Sequence, residues 1–259
     1  MIAERYDSIL LDLDGVLYRA ADPIPDAAET VRRLRALGKG IAFVTNNSAR
    51  TPEAVVAHLA SVGIAVELDE VQTSALATAE LLAERGVDTA FVVGEQGLRS
   101  ALETAGVRVL EGEPNHVNAV VVGWDRSADY AKLRTASLLV ESGAVLIASN
   151  ADASFPAPDG RAWPGAGALL AAIETTTGVR AEVVGKPHPP VLRAALARAG
   201  GGRPLVVGDR LDTDIAGARG LRWDSVLVLT GISTRDDVKA AGFAPTYTVE
   251  TLRELVDEG

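Results

Sequence analysis

Short apolar runs alternate with helix-period stretches along almost the whole chain. That alternation restricts it to an α/β fold with a parallel sheet. Ser8 to Leu11 reads as a short buried strand. Asp26 to Leu37 reads as a helix, apolar at Ala27, Val31, Leu34 and Leu37 and stopped by Gly38. Ile41 to Val44 is the next strand, and helical patterns at Val55 to Val62 and Ala75 to Arg85 close at Gly63 and Gly86. Further strands are expected at Thr89 to Val93, Val117 to Val122 and Val145 to Ala148. Helices are expected at Leu98 to Ala105, Tyr130 to Ser142 and Ala168 to about Thr176. Val183-Val184, Leu205 to Val207 and Val226 to Leu229 complete the strand series.

Several of these strands end in residues that carry chemistry. In open α/β sheets ligands bind beyond the carboxyl ends of the strands, so one crevice could collect such groups. The first strand runs into Asp12-Leu13-Asp14-Gly15, two carboxylates two positions apart, which a regular strand would direct to one face. Gly15 lets the chain turn sharply after them. The pair suits a nucleophilic carboxylate beside a second one acting as general acid and base. The second strand ends in Thr45-Asn46-Asn47-Ser48 ahead of a helix with Thr51 as N-cap and Pro52 and Glu53 in its first turn. Hydroxyls, amides and free N–H groups there make a fitting anion pocket. Lysine is scarce in this chain, so Lys186, set between Gly185 and Pro187, reads as a point charge with a task. The last segment, Val206-Val207-Gly208-Asp209-Arg210-Leu211-Asp212-Thr213-Asp214, is again a strand ending in acids at a helix start.

These four segments, in this order, resemble the haloacid dehalogenase superfamily of phosphatases, whose first motif is Asp-x-Asp-Gly, over essentially the whole chain. The stretch between Thr45 and Lys186 is far longer than one crossover needs and holds its own α/β set. The chain is therefore similar to the subgroup with a large α/β cap, which includes 4-nitrophenylphosphatases, phosphoglycolate phosphatases, pyridoxal phosphatases and the nucleotide-sugar-operon phosphatase. Asn150-Ala151-Asp152 and Pro164-Gly165-Ala166-Gly167 resemble that subgroup's return from cap to core. The fold implied is a doubly wound, Rossmann-like parallel-sheet core from residues 1–76 and 179–259, with an α/β cap of residues 77–178 inserted.

The resemblance also implies roles. Asp12 would attack the phosphorus of a phosphate monoester to form an aspartyl-phosphate. Asp14 would protonate the leaving oxygen and then take a proton from the hydrolytic water. Mg²⁺ would be held by the Asp12 carboxylate, the Asp14 backbone carbonyl and Asp209. Thr45, Asn46, Asn47 and Lys186 would bind the phosphoryl oxygens. Asp214 would orient Lys186 or metal-bound water, and Asp212 would be solvated. Selectivity would lie in the loop from Asp152 to Trp163, where Phe155, Arg161 and Trp163 either form an aromatic and cationic wall or pack a domain junction. His188, beside Lys186, could also touch the site, while His58 and His116 are expected to be structural.

Composition narrows the partners. The chain has 259 residues, 47% of them hydrophobic, enough for one large domain or two smaller ones. With no cysteine, neither disulfides nor thiolate metal sites can form. A net charge of -10 without a basic stretch argues against nucleic acid, and any phosphate site needs its own local positive charge. The charged Met1 to Tyr6 segment lacks a signal-peptide pattern and no apolar run approaches a membrane span, so a cytoplasmic enzyme is expected. The expected partner is a small phosphorylated metabolite with a sugar, glycerol or glycolate leaving group, and a homodimer through the cap is open. A phosphotransferase or mutase would use the same aspartyl-phosphate. A catalytically silent binding module would predict loss of Asp12, Asp14, Lys186 or Asp209, and all are present.

Overall fold

The computed structural model describes residues 1–156 and 161–257. By their contacts these residues divide into two compact units. The first comprises Met1–Thr45, Glu53–Gln72 and Lys186–Gly259, the second Asn46–Pro52 and Thr73–Gly185.

The first unit is built on a sheet whose strands, among the described residues, lie in the order Tyr247–Val249, Asp224–Val228, Pro204–Gly208, Ser8–Asp12, Gly40–Thr45, Val71–Thr73. Ser8–Asp12 is parallel to both of its neighbours, Pro204–Gly208 and Gly40–Thr45. Every residue of Ser8–Asp12 is buried, as expected of a parallel strand covered on both faces. Ile9, Leu11, Phe43, Leu205, Val207 and Val226 form the centre of the core. The helices Ala27–Ala36 and Pro52–Ser61 add Val31, Leu34, Val55 and Leu59 to it. Strand order reverses between Ser8–Asp12 and Pro204–Gly208, since the chain builds outward on one side first and on the other later. Such a switch point opens a crevice at the carboxyl ends of the two strands. Asp12 and Asp209 stand at those ends.

The second unit has its own parallel sheet, in the order Glu182–Val183, Val145–Ala148, Ala119–Val122, Thr89–Val93, Arg108–Leu110. The helices Tyr130–Glu141 and Ala166–Thr177 bury Ala136, Leu139, Leu170 and Ile173 against it. The division of the chain falls at Thr73 and Gly185, not at 77 and 178. At the first boundary, the Thr73 side chain accepts from Leu76 N and so starts the helix Ser74–Glu84 of the second unit. At the other, Glu182 and Val183 pair in register with Ile147 and Ala148, which places this strand in the second sheet. Among the described residues no helix is long and apolar enough to cross a membrane.

Candidate active site

The first motif turns as soon as its strand ends. Leu17 N donates to Leu13 O at 2.8 Å and Gly15 N to Tyr18 O at 2.8 Å, closing a compact loop. Gly15 sits at φ +82, where a side chain is strained, and a Cβ there would also press within 3.0 Å of the Asp209 carboxylate. Leu13 is buried, Asp12 is 9% exposed, and Asp14 faces solvent. The two carboxylates therefore differ in environment: one is desolvated, the other open to exchange protons with water.

Lys186 is held at the centre of the group. Its Nζ donates to Asp12 Oδ1 at 2.6 Å, to Asp214 Oδ1 at 2.7 Å and to Val44 O at 3.5 Å. The side chain is only 4% exposed. Burial acts to lower the lysine, but the Asp12 and Asp214 carboxylates outweigh it and hold the ammonium above the usual lysine range. Asp12 moves the other way. Burial pushes it well above the ordinary carboxyl range, Asp214 and Asp209 add to the rise, and Lys186 opposes it.

Asp209 completes the cluster from the neighbouring strand. It is 2% exposed. Its Oδ2 accepts from Ile232 N at 2.8 Å, and its Oδ1 is buried with no hydrogen-bond partner among the described residues. Burial, then Asp214, pushes its carboxyl up to about 6. Asp214 reaches back through a π-helical turn, Leu211–Ile215, of a kind common at functional sites. It can do so because residue 208 is glycine: a Cβ there would lie inside the Asp214 side chain. The Asp212 carboxylate is exposed and pairs with Arg210 at 2.7 Å.

Asp12, Asp209 and Asp214 each bring a carboxylate oxygen within 4.8 Å of the others. Three acids against one ammonium leave an excess of buried negative charge. An oxygen-only donor set suits a hard divalent cation better than zinc. The unpartnered Asp209 Oδ1 is the kind of atom that coordination would satisfy, since a bare buried acceptor is costly. The residues present thus fit Mg²⁺.

The second motif is split. Thr45 ends its strand buried beside the first motif, whose Asp12 is in register with Val44. Asn46 and Asn47 group with the second unit. The Asn46 side-chain amide donates to Asp152 Oδ1 at 3.1 Å, and the Asn46 backbone carbonyl accepts from Ser74 Oγ and Asn150 Nδ2 at 2.7 and 2.8 Å. Asn47 Oδ1 accepts from Ala49 N at 2.9 Å. Ser48, the last residue of the Thr45-Asn46-Asn47-Ser48 motif, shares a buried hydroxyl pair with Ser149 at 2.9 Å. The two serines are 101 positions apart, so nothing local marks the pairing. His188 is exposed at the N-cap of the helix Pro189–Arg198, and His58 packs edge-on against Tyr18.

The expected selectivity loop is a hairpin in the second unit. Ser154–Pro156 pairs antiparallel with Ala162–Pro164, and Phe155 stands opposite Trp163. Residues 157–160 lie outside the described residues. Phe155 stacks on Trp124 at 4.1 Å, and Trp124 Nε1 donates to Pro164 O at 3.1 Å. Arg161 is exposed and Trp163 is 41% exposed. Trp163 lines a cavity of about 320 Å³ with Trp124, Asp125, Arg126, Pro164 and Leu169. Trp124 was not among the sequence candidates, because a tryptophan after a strand reads as packing.

Comparison with known proteins places this geometry. The haloacid dehalogenase-like hydrolase model matches residues 9–108, and a second HAD-hydrolase-like model matches residues 183–255. The acid sugar phosphatase of Staphylococcus saprophyticus is 38% identical over 258 residues, covering 98% of each chain. A glycerol phosphate phosphatase from Mycobacterium tuberculosis, solved in complex with magnesium, superposes with a TM-score of 0.92 at 35% identity, over 98% of this chain and 77% of that one. The p-nitrophenyl phosphatase from Archaeoglobus fulgidus gives 0.90 at 34% identity, over 97% and 98%. Motifs, site and relatives agree: the chain belongs to the haloacid dehalogenase-like hydrolases, within the subgroup of phosphatases that carry a large α/β cap.

Proposed function

We propose that the protein hydrolyses small phosphate monoesters with Mg²⁺ through an aspartyl-phosphate on Asp12, and that sugar and glycerol phosphates are the substrates to test first. The observation that carries this reading is the pairing at the switch point. Asp12 is bound to Lys186 through one oxygen, and Asp209 holds an unpartnered oxygen in the same acid cluster. The substrate classes follow the names of the acid sugar phosphatase and glycerol phosphate phosphatase relatives.

In this reading the Asp12 oxygen not engaged by Lys186 attacks phosphorus in line with the leaving oxygen. Lys186 orients the nucleophile and offsets charge on the transferred group, with Thr45, Asn46 and Asn47 donating to its oxygens. Asp14, open to solvent, delivers a proton to the departing alkoxide. It then removes one from the water that cleaves the aspartyl-phosphate, the reverse proton flow. Asp12, the Asp14 backbone carbonyl and Asp209 would hold Mg²⁺, which would offset the repulsion between an anionic nucleophile and an anionic ester. Asp214 keeps Lys186 in place.

The unit from Thr73 to Gly185 is the cap in this reading, with leaving-group selectivity in Asp152, Phe155, Arg161 and Trp163 and a contribution from His188. The exposed Arg161 and Trp163 support that assignment. The absence of cysteine accords with a cytoplasmic setting, and a homodimer through the cap is the assembly to look for. The test is a panel of phosphate monoesters assayed with and without Mg²⁺, in the presence of a hydroxyl acceptor. Mg²⁺-dependent release of inorganic phosphate is expected. Transfer to the acceptor in place of release would make the protein a phosphotransferase.

A further inference from the structure

The strand Asp224–Val228 lies parallel beside Pro204–Gly208, so the loop that follows it emerges at the same sheet end as Asp209. That loop, Leu229 to Thr234, takes no part in the chemistry above, yet it is fastened to both acid loops. Thr230 Oγ1 donates to Gly15 O at 2.6 Å, and the Arg19 guanidinium donates to Thr230 O. Ile232 N donates to Asp209 Oδ2 at 2.8 Å, and Ser233 N donates to Asp209 O at 3.0 Å. Ser233 Oγ accepts from Leu211 N at 3.0 Å, just past Asp209.

Two glycines finish the arrangement. A Cβ on Gly231 would fall inside the Asp209 carboxylate, as would one on Gly15. The carboxylate is therefore clamped between two bare backbones. Its Oδ2 is consumed by Ile232 N, and only Oδ1 is left without a partner. Turning the carboxylate to present the other oxygen would break the Ile232 bond, so the clamp favours Oδ1 as the atom a cation meets.

We infer that Thr230, Gly231 and Ser233 are positioning residues for the metal site: their loop locks the rotamer of Asp209 and ties it to the Asp12–Gly15 turn, so that ligands from two strands hold one spacing. The inference rests on the proposed Mg²⁺ role of Asp209. Partners of this kind behind a ligand carry about 10- to 100-fold in metal affinity in other proteins, because they orient the donor atom.

The test is Mg²⁺ titration by calorimetry of the intact protein, with unfolding temperature of the metal-free form measured alongside. Thr230→Val removes the hydroxyl and keeps the shape, and should weaken Mg²⁺ binding about tenfold or more with little change in metal-free unfolding. Thr230→Ser, which restores the donor, should return affinity to within about twofold of wild type. Ser233→Ala carries the same expectation independently, should Thr230→Val fail to fold. Wild-type affinity in folded Thr230→Val or Ser233→Ala overturns the inference, as does weak binding in Thr230→Ser equal to that of the valine variant. If the wild-type protein itself binds no Mg²⁺, the metal assignment falls and the inference with it. Binding by wild type with unchanged variants sinks the inference alone.

Discussion

Asp209 in the first unit and Asp125 in the second are both buried aspartates just past a sheet strand, 2% and 5% exposed. Their surroundings are opposite. Asp125 is saturated: Oδ1 accepts from Ser127 N and Ser127 Oγ at 2.9 and 2.7 Å, and Oδ2 from Lys132 Nζ at 2.7 Å. Burial acts to raise its carboxyl, but Lys132 and Ser127 outweigh it and hold the group below the usual range. Asp209 has one backbone donor on Oδ2 and none on Oδ1, and burial raises it to about 6. A buried acid with both oxygens hydrogen-bonded locks a local structure. A buried acid with a bare oxygen beside other acids is strained until something binds it, and that difference separates scaffold from site.

The largest expected effect lies at Asp12, the nucleophile proposed for the unsaturated cluster. Asp12→Asn should cut turnover by about a thousandfold or more with the fold intact, because the amide is nearly isosteric but a poor nucleophile. Phosphate release measured on the purified variant decides it, and near-wild-type rates would remove Asp12 from that role.

Next comes Asp209 itself. Asp209→Asn should weaken Mg²⁺ binding about a hundredfold, read by calorimetry. It should also change the pH dependence of the metal-free protein. Folded Asp209 keeps its proton up to about 6, while the unfolded chain releases it near 3.8. Between those values the folded state binds more protons, so this group's contribution to stability falls as pH rises. Measured in EDTA, wild type should therefore lose unfolding temperature relative to Asp209→Asn from pH 4 toward pH 7. A constant gap between the two would contradict the assignment of the strained acid.

Asp125→Ala probes the other side of the comparison. It strands Lys132 and the Ser127 N–H, and should cost about 1–3 kcal/mol of stability in urea unfolding. Mg²⁺ affinity should stay at the wild-type value. The sign with pH is reversed: the Asp125 contribution is complete above the unfolded value of 3.8 and is lost as pH falls through the lower folded one. Loss of Mg²⁺ binding in this variant would erase the distinction drawn between the two aspartates.

The smallest effect is expected at the hairpin. Trp163→Ala and Arg161→Ala should alter kcat/KM by different factors for large and small leaving groups, by about tenfold or less. Equal effects on every substrate would assign the pair to packing.

Much of the first unit's candidate site could be read from residue order. A strand ending in Asp12-Leu13-Asp14-Gly15, a lysine between glycine and proline, and a strand ending in Asp209 are local patterns, and local patterns survive in one dimension. The strands at Thr89–Val93 and Val145–Ala148 were legible for the same reason. Short or mixed segments were not. Val71–Thr73, Arg108–Leu110 and Tyr247–Val249 are strands of three residues, set by neighbours that run alongside them. The helix Pro189–Arg198 was not legible because it opens on two adjacent prolines, which read as a turn as readily as a helix start.

By itself, then, the order of residues determined the alternating α/β pattern, the acids and the lysine, since each is a property of a few adjacent positions. Only the tertiary structure decided that Lys186 bridges Asp12 and Asp214 across 174 and 28 positions. It alone paired the Asn46 amide with Asp152, stacked Phe155 on Trp124, and set Gly15 and Gly231 against Asp209. Those are meetings between distant segments. They depend on which strands lie side by side and how closely two backbones approach, and neither quantity is carried by any single stretch of chain.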